Sequence, residues 1–279
     1  MKKNLLIFIV AYNAETTIKS VVSRIPKELS KKYNLEILII DDSSKDKTFE
    51  ISKKLKEFYK KQRIKIKVYY NPTNQGYGGN QKIGYHYAIK NNFDYVVLLH
   101  GDGQYAPECL PELLKSVDKK EFDVVIGSRM VNKKLALKGG MPFYKFVGNI
   151  ILTTIQNFLL GTNLSEFHSG YRIYSVNSLK KIPFHFNTND FHFDTEILIQ
   201  LLTNKEKIKE ISVPTFYGNE ICHVNGIKYA FNVLRMTFIA KLQKTINIEF
   251  SKKFVSISYP RNYSNFEINK LLNDAMKRK

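Results

Sequence analysis

One segment near the middle of the chain, His-Gly-Asp-Gly-Gln at residues 100–104, combines side chains that suit metal and phosphate chemistry. The carboxylate of Asp102 and the amide oxygen of Gln104 are ligands for a hard divalent cation that also holds phosphates. The neighbouring Gly101 lets the backbone turn tightly and leaves room for a bulky ligand. Taken alone, Asp102 would be interpreted as a cap of the following helix. The rest of the chain favours the cation site.

Polar side chains also follow the first two apolar runs of the chain. Ala11, Tyr12 and Glu15 follow the first run, and Asp41 and Asp42 follow the second. The carboxyl ends of parallel strands meet at one edge of a sheet, where open α/β folds bind ligands. There Tyr12 can stack on a base, and Asp41 or Asp42 can accept hydrogen bonds from a base or ribose. Taken singly, the aspartates are equally typical of helix caps, and Tyr12 is typical of simple packing. Three polar strand ends in order along the chain, however, predict a nucleotide site.

Apolar runs alternate with amphipathic segments along the chain, which predicts an α/β fold. This alternation implies a mainly parallel, doubly wound sheet with right-handed crossovers. The predicted strands are 5–10, 35–40, 64–70, 95–99, 124–127, 169–174 (a strand or a turn) and 208–213. The predicted helices are 14–25, 48–62, 80–90, 143–161, 193–202 and 227–246.

Composition and charge limit the classes of function that the chain can have. The 279 residues carry a formal net charge of +19, and the lysines are dispersed. Dispersed charge argues only weakly for a nucleic-acid interface and fits an anionic membrane or phosphate-bearing substrates equally well. No nucleic-acid partner is expected. Cys109 and Cys222 lack metal-ligand spacing, so a reduced, cytoplasmic setting is expected. The N-terminal apolar run has no cleavage site and is interpreted as a strand rather than a signal peptide. No run reaches the ~18–20 apolar residues that span a bilayer, so a soluble or peripheral protein is expected.

The motifs together resemble those of the family 2 glycosyltransferases, which have a GT-A fold. The resemblance covers roughly residues 4–230 and lies in Ala-Tyr-Asn at 11–13, Asp-Asp-Ser-Ser at 41–44, Asn-Gln-Gly at 74–76, Gly-Asp-Gly-Gln at 101–104 and Ser-Gly-Tyr-Arg at 169–172. Within that family the chain is most similar to the dolichol- and polyprenyl-phosphate sugar synthases. The resemblance implies a Rossmann-like sheet and an inverting transfer from a nucleotide-diphosphate sugar to a polyprenyl phosphate, with Mg²⁺ or Mn²⁺.

The resemblance also assigns the donor and metal positions. The donor positions are Ala11, Tyr12, Glu15, Asp41, Asp42 and Gly101. Asp102 matches the second Asp of the family's metal motif and Gln104 its glutamine, whereas His100 stands where the first Asp is usual. A neutral imidazole can ligate Mn²⁺ but is a poor ligand for Mg²⁺. We therefore expect a preference for Mn²⁺, and the alternative is a His100 that points into the core.

Further motif residues are assigned to the diphosphate and the acceptor. Arg129 stands where the family has a basic residue after the fifth strand, and its guanidinium suits a diphosphate or acceptor phosphate. Ser169 and Arg172 belong to the acceptor-side motif. In the family's late segment Lys228 is kept, and His223, which is assigned to the acceptor, replaces the usual Arg. We expect this segment to close over the donor diphosphate.

The acceptor decides whether the reaction needs a general base. A polyprenyl phosphate oxygen is already anionic, whereas a saccharide hydroxyl, the alternative acceptor in cell-surface glycan assembly, requires a base. Asp194 and Glu196, at the start of a predicted helix, are the candidate bases. Either side chain can equally be a partner of the helix dipole in the first turn.

Two long helices, 143–161 and 227–246, are the predicted membrane contacts, and the alternative is that both are core helices. Basic residues among bulky apolar ones in the second helix, with a basic tail, suit reversible binding to an anionic leaflet. The chain is therefore divided into a GT-A domain, 1–226, and an amphipathic helix with a basic tail, 227–279. A peripheral location on the inner face of the membrane is expected, and no motif indicates an oligomeric state.

Two other functions would use parts of the same pattern. A sugar nucleotidyltransferase needs a glycine-rich loop with Arg and Lys straight after the first strand, which residues 11–15 lack. A non-enzymatic nucleic-acid- or membrane-binding module explains the charge, but it does not explain three polar strand ends in register.

Overall fold

Seven strands form one sheet in the computed structural model, which describes residues 1–62, 64–217, 224–246, 252–254 and 266–277. The strands are β1 (Asn4–Ala11), β2 (Asn34–Asp41), β3 (Lys65–Tyr70), β4 (Tyr95–His100), β5 (Val124–Ser128), β6 (Arg172–Ser175) and β7 (Ile208–Ser212). Their order across the sheet is β3-β2-β1-β4-β6-β5-β7.

Eleven α-helices lie in the described residues. They are α1 (Ile18–Ser23), α2 (Leu29–Lys32), α3 (Thr48–Lys60), α4 (Tyr77–Lys90), α5 (Leu110–Asp118), α6 (Lys133–Lys138), α7 (Phe143–Leu160), α8 (Val176–Leu179), α9 (Phe193–Thr203), α10 (Gly226–Ile246) and α11 (Phe266–Lys277). Short 3₁₀ turns occur at Pro107–Cys109, Phe184–Phe186 and Lys252–Phe254.

The sheet is mainly parallel, as predicted. β1 pairs in parallel with β2 and β4, β2 with β3, and β5 with β7, whereas β6 runs antiparallel between β4 and β5. The parallel arrangement follows from the helices that connect successive strands and return the chain to the same end of the sheet. The antiparallel β6 brings the 169–172 motif into the middle of the sheet.

Both faces of the sheet are buried, which explains why its strands are nearly continuous apolar runs. On β1, Leu5, Ile7 and Ile9 pack into the layer that contains α1, α3 and α5. The alternate residues Leu6 and Phe8 pack into the opposite layer, with α4, α8 and α9. The polar residues at the strand ends therefore lie at the edge between the two layers.

The described C-terminal helices pack on this body. α10 packs against α7 and α9, and α11 covers β3 and α4, where Leu272 and Ala275 join the core. His86 Nε2 lies 2.9 Å from Asn269 Oδ1 at the same contact. Among the described helices, none is both long and apolar enough to cross a membrane.

A glycine of α4 allows that helix to lie close against the sheet. A Cβ on Gly84 would lie 2.1 Å from Cε1 of Phe8, whereas a Cβ on Gly148 of α7 would meet nothing within 4 Å. We expect Gly84→Ala to lower the free energy of unfolding by about 1–3 kcal/mol or more, because overpacking forces side chains and backbone to shift. The matched control Gly148→Ala should raise it by up to about 1 kcal/mol through helix propensity. Urea denaturation of the three proteins measures both changes, and equal stabilities would contradict this packing account.

Candidate active site

The three predicted strand ends adjoin at one edge of the sheet. β2, β1 and β4 are neighbours in that order, and the segments that follow them are bonded to one another. The amide of Asp42 donates to the carbonyl of Ala11 at 2.8 Å, and the amide of Gly101 donates to the carbonyl of Val10 at 2.9 Å. Thr17 Oγ1 then donates to the carbonyl of Gly101 at 2.6 Å. The strand ends thus form one continuous polar surface.

Asp41 and Asp42 are both buried where β2 ends. Asp41 Oδ1 accepts the amide of Ser44 at 2.7 Å, whereas its Oδ2 is buried without a hydrogen-bond partner. Asp42 Oδ1 accepts from Asn71 Nδ2 at 2.7 Å and from the amide of Gln75 at 2.8 Å. Burial raises the pKa of Asp41 to about 6 and also raises the pKa of Asp42. Asp41 therefore has an unused acceptor that a donor group of a ligand can satisfy.

The segment after β1 lines the same surface. Tyr12 is 39% exposed, so its ring is accessible to a ligand. Glu15 Oε2 accepts the amide of Lys47 at 3.0 Å, and the amide of Glu15 donates to Asp46 at 3.0 Å. Glu15 therefore ties this segment to the loop after β2.

Asp102 lies at the tip of the turn that follows β4, with 41% of its side chain exposed. Its Oδ1 accepts the amide of Gln104 at 2.9 Å, and Gly103 adopts a left-handed φ of +78°. The carbonyl of Gln104 accepts hydrogen bonds from the amide of Phe216 and the hydroxyl of Thr215, which hold the end of the turn in place. The turn thus presents the Asp102 carboxylate outward from a fixed backbone.

His100 lies beside Asp102 and inside a cage of aromatic rings. Its Nδ1 is 3.9 Å from Asp102 Oδ2, and its Nε2 is 3.0 Å from the hydroxyl of Tyr77. The rings of Tyr77 and Tyr105 meet the imidazole edge-on at 5.4 Å and 5.1 Å. Burial lowers the pKa of His100, because it disfavours the charged imidazolium. The ring is therefore directed toward Asp102 rather than into the apolar core.

Asp194 and Glu196 have different surroundings although both begin α9. Asp194 Oδ2 accepts the hydroxyl of Tyr77 at 2.8 Å, and its Oδ1 accepts Gln81 Nε2 at 3.2 Å. Glu196 is fully buried, and it bonds the amide of Thr188 and Lys253 Nζ at 2.6 Å each. Asp194 thus belongs to the network around His100, whereas Glu196 belongs to a separate structural network.

Arg172 and Ser169 are buried rather than exposed to an acceptor. The guanidinium of Arg172 donates to the carbonyls of Ser169 and Asp194 at 2.7 Å and to the carbonyl of Phe167 at 2.8 Å. Ser169 Oγ donates to the carbonyl of Gly127 at 2.5 Å. The motif residues therefore shape the loop before β6, and we revise the expected direct contact of these two side chains with the acceptor.

Arg129 also differs from the expected free phosphate clamp. Its Nε lies 3.0 Å from Oε1 of the fully buried Glu166. Nη1 donates to the hydroxyl of Tyr217 at 2.8 Å, and Nη2 donates to the carbonyl of His168 at 3.0 Å. All three nitrogens thus have partners within the protein, because a buried guanidinium requires them. In this structure Arg129 joins the loop after β5 to the loop before β6.

Lys228 lies near the start of α10, and its side chain is exposed. It lines a cavity of about 120 Å³ together with Asp190, Phe191, His192, Val224, Asn225, Tyr229 and Asn232. The ring of Phe191 stacks on that of Tyr77 at 5.4 Å, so this cavity adjoins the His100 network. The predicted acceptor residue His223 lies outside the described residues.

Sequence reasoning missed three residues of this network. Tyr77 follows the Asn-Gln-Gly motif directly, Glu166 precedes Ser169 by three positions, and Gly170 lies within that motif. A Cβ on Gly170 would lie 2.4 Å from His100 Nε2 and 2.8 Å from the Tyr77 hydroxyl. These residues could have been found by their proximity to the motifs in the sequence. Their contacts, however, join segments that are distant in the sequence.

The described residues contain no cluster of three or more His, Cys, Asp or Glu side chains able to hold a metal by themselves. Asp102 and His100 supply two adjacent donors at an accessible edge. A divalent cation there would need its remaining ligands from a bound molecule and water, as Mg²⁺ bound through substrate phosphates does.

Comparisons with known proteins agree with this arrangement. The chain is 29% identical over 255 residues to UDP-N-acetylglucosamine–dolichyl-phosphate N-acetylglucosaminyltransferase from Methanococcus voltae, which covers 88% of this chain and 99% of that protein. It is 26% identical over 221 residues to polyprenol monophosphomannose synthase from Mycolicibacterium smegmatis, with 77% and 78% of the two chains covered.

Solved structures show the same fold. Glucosyl-3-phosphoglycerate synthase from Mycobacterium tuberculosis, solved in complex with UDP, superposes with a TM-score of 0.60 at 16% identity, over 89% of this chain and 82% of that one. Residues 6–183 match the profile of glycosyl transferase family 2. That match spans more than half of the chain and every strand from β1 to β6, and the chain belongs to glycosyl transferase family 2.

Proposed function

We propose that this protein is an inverting glycosyltransferase that moves a sugar from a nucleotide-diphosphate donor to a polyprenyl phosphate. The carrying observation is the juxtaposition of Asp41 and Asp42, Tyr12, and Asp102 at the ends of three adjacent strands. The names of the relatives from Methanococcus voltae and Mycolicibacterium smegmatis support a dolichyl- or polyprenyl-linked acceptor. In this proposal residues 1–226 hold the substrates, and residues from 227 onward add a membrane contact.

The β2 and β1 ends are suited to the nucleoside. The unused Oδ2 of Asp41 accepts a hydrogen bond from the base or ribose, and Asp42 keeps the backbone of residues 71–75 in place around it. The half-exposed ring of Tyr12 offers a stacking surface. The diphosphate would then extend toward the end of β4, where Asp102 lies.

The residues at the end of β4 fit a divalent cation. Asp102 and His100 would hold it, with Gln104 as a further oxygen donor, and the imidazole favours Mn²⁺ over Mg²⁺. Related folds support the presence of a cation, because glucosyl-3-phosphoglycerate synthase was solved with Mn²⁺ and UDP and also with Mg²⁺ and UDP. When bound, the cation neutralises charge on the leaving diphosphate. Lys228 is the exposed cationic side chain placed to assist, beside the cavity that adjoins the network.

Asp194 and Glu196 help to distinguish the two acceptor classes. A saccharide hydroxyl requires a base with an available oxygen. Both oxygens of Asp194 already accept hydrogen bonds, and Glu196 is fully buried and paired with Lys253. A phosphate acceptor needs no such base, so these contacts support the polyprenyl phosphate.

The outward faces of α7 and α10 support a membrane contact. α7 buries the polar residues Asn149, Thr153 and Gln156, and its exposed apolar residues are Phe143, Tyr144, Ile151, Ile155 and Phe158. On α7 this pattern is the reverse of an ordinary amphipathic core helix. α10 buries Val233 and Ala240 together with Thr237 and Gln243, and it exposes Ile227, Phe231, Phe238 and Ile246. An anionic lipid surface suits these faces, because Arg235, Lys241 and Lys244 are exposed on α10. We propose an inner-leaflet location on this basis.

Asp102→Asn should abolish transfer with the fold intact, because it removes the charge of a metal ligand while its Oδ1 can still accept the Gln104 amide. The measurement is turnover with polyprenyl phosphate and a panel of nucleotide-diphosphate sugars, with thermal denaturation as the folding check. Asp274→Asn is the matched control and should behave as wild type, because Asp274 lies on α11, outside the ends of β1, β2 and β4, and pairs with Lys277 at 3.0 Å. Residual activity above about a tenth of wild type, a loss under ~1.4 kcal/mol, would disprove the metal role.

His100→Asp tests the expected preference for Mn²⁺. The wild-type enzyme should turn over faster with Mn²⁺ than with Mg²⁺, and the variant should gain activity with Mg²⁺, because a second carboxylate suits a hard cation. Initial rates over a titration of each metal provide the comparison. Equal wild-type rates with both metals, unchanged by the substitution, would rule out His100 as a ligand.

The membrane proposal predicts sedimentation with anionic liposomes and partial release at 1 M salt, where the Debye length is about 3 Å. The double variant Phe143→Glu with Phe158→Glu should lose binding, because it places charge on the apolar face of α7. Phe58→Glu is the matched control, since Phe58 is 57% exposed on α3, outside this face.

Truncation of the basic tail is a less suitable variant, because α11 contributes Leu272 and Ala275 to the core. Equal binding of the double variant and wild type, or equal binding to neutral and anionic lipid at low salt, would contradict the proposal.

A further inference from the structure

We propose that Tyr77 and Asp194 are positioning residues that hold His100 in a single tautomer, with Nε2 protonated and Nδ1 bare and directed toward the Asp102 carboxylate. This inference rests on the proposed metal-dependent transfer and deepens it. It assigns Asp194 a role other than that of a base, and it gives Tyr77 a role in the reaction.

The tautomer follows from the hydrogen atoms available. The Tyr77 hydroxyl lies 2.8 Å from Asp194 Oδ2 and 3.0 Å from His100 Nε2. A phenol has one hydrogen to donate, and an ionised carboxylate can only accept. The Tyr77 hydrogen is therefore directed to Asp194, and His100 Nε2 must donate its own hydrogen to the phenol oxygen. A neutral imidazole carries one N–H, so Nδ1 is left with a bare lone pair.

The contacts of Asp194 hold its carboxylate in place beside Tyr77. Gln81 Nε2 donates to Oδ1 at 3.2 Å, and Arg172 Nη1 lies 4.0 Å from the same oxygen. Arg172 Nη1 also donates to the Asp194 carbonyl at 2.7 Å, which fixes the first turn of α9. The other oxygen, Oδ2, is therefore held where it accepts the hydroxyl of Tyr77.

The bare Nδ1 faces a carboxylate across a gap. Nδ1 lies 3.9 Å from Asp102 Oδ2, which is too long for a hydrogen bond. Two groups that only accept are therefore directed at each other at an accessible edge of the sheet. A cation between them would satisfy both, and metal-ligating histidines generally donate their other N–H to a carboxylate, carbonyl or water. Here Tyr77 relays that contact from the carboxylate of Asp194.

Packing holds the plane of the imidazole in place, and the hydrogen bond to Tyr77 selects the orientation with Nε2 at the hydroxyl. The backbone of Gly170 lies so close that a Cβ there would be 2.4 Å from Nε2. The amide of Gly170 donates to the hydroxyl of Tyr105 at 2.8 Å, and the ring of Tyr105 lies edge-on to the imidazole. The 169–172 motif thus packs against the imidazole of His100 and keeps it in contact with Tyr77.

The first experiment uses the metal-free wild-type protein. Long-range ¹H–¹⁵N correlation spectra of ¹⁵N-histidine-labelled protein distinguish protonated from bare ring nitrogens, and His100→Asn identifies the His100 signals. We expect one neutral tautomer with the proton on Nε2, and addition of Mn²⁺ with UDP or GDP should broaden these signals. A proton on Nδ1, or a mixture of tautomers, would overturn the inference.

The second experiment compares Tyr77→Phe with Tyr95→Phe. Both substitutions remove a hydrogen-bonded tyrosine hydroxyl, but Tyr77 is bonded to His100 Nε2, whereas Tyr95 donates to the carbonyl of Val117 at 2.9 Å, at the opposite end of β4. Mn²⁺ affinity, measured by the loss of the free-ion EPR signal in the presence of UDP or GDP, should fall 10–100-fold in Tyr77→Phe. Tyr95→Phe should stay close to wild type, and the tautomer signal should change only in Tyr77→Phe.

The outcomes separate the two proposals. Wild-type protein that holds the Nε2–H tautomer but binds no Mn²⁺ with either nucleotide would refute the proposed metal site, and with it the role of the tautomer. Wild-type protein that binds Mn²⁺, with Tyr77→Phe equal to it in affinity and tautomer, would overturn the positioning role alone.

Discussion

The buried guanidinium of Arg172 is the interaction on which the site depends. The side chain is fully excluded from solvent and donates to the carbonyls of Phe167, Ser169 and Asp194. A buried charge is tolerated only when it is paired and hydrogen-bonded, so these partners must stay where they are. One cation thereby joins the loop before β6 to the first turn of α9.

The other residues of the site are positioned by the two segments that Arg172 joins. α9 presents Asp194 to Tyr77, and the loop before β6 presents Gly170 to the imidazole of His100. His100 is the last residue of β4, whose neighbour β1 leads to the side of the edge where we propose the nucleotide. The Arg129–Glu166 ion pair fixes the other end of the same loop. The 169–172 motif therefore supports the residues of the proposed metal site, and a change in it is expected to affect the proposed donor site as well.

The strands and the polar edge of the sheet were predictable because a buried strand corresponds to an apolar run of the sequence that stops at polar residues. Each predicted strand overlaps an observed one, and the ends of β1, β2 and β4 meet as expected. The helices α2, α5, α6, α8 and α11 were not predicted. α11 packs on β3 and α4, which are distant from it in sequence. The same limit explains Arg129 and Arg172. Arg129 was assigned to a phosphate and Arg172 to the acceptor-side motif, but Glu166 and Asp194, among their partners, lie in segments that only the fold brings close to them.

The most direct test of the central claim is identification of the product. The purified protein is incubated with Mn²⁺, a panel of nucleotide-diphosphate sugars and an equimolar mixture of polyprenyl phosphate and soluble saccharides, and the products are analysed by mass spectrometry and NMR. The account predicts a single polyprenyl phosphosugar whose anomeric configuration is opposite to that of the donor. Sugar found only on a saccharide hydroxyl, with the polyprenyl phosphate unchanged, would contradict it.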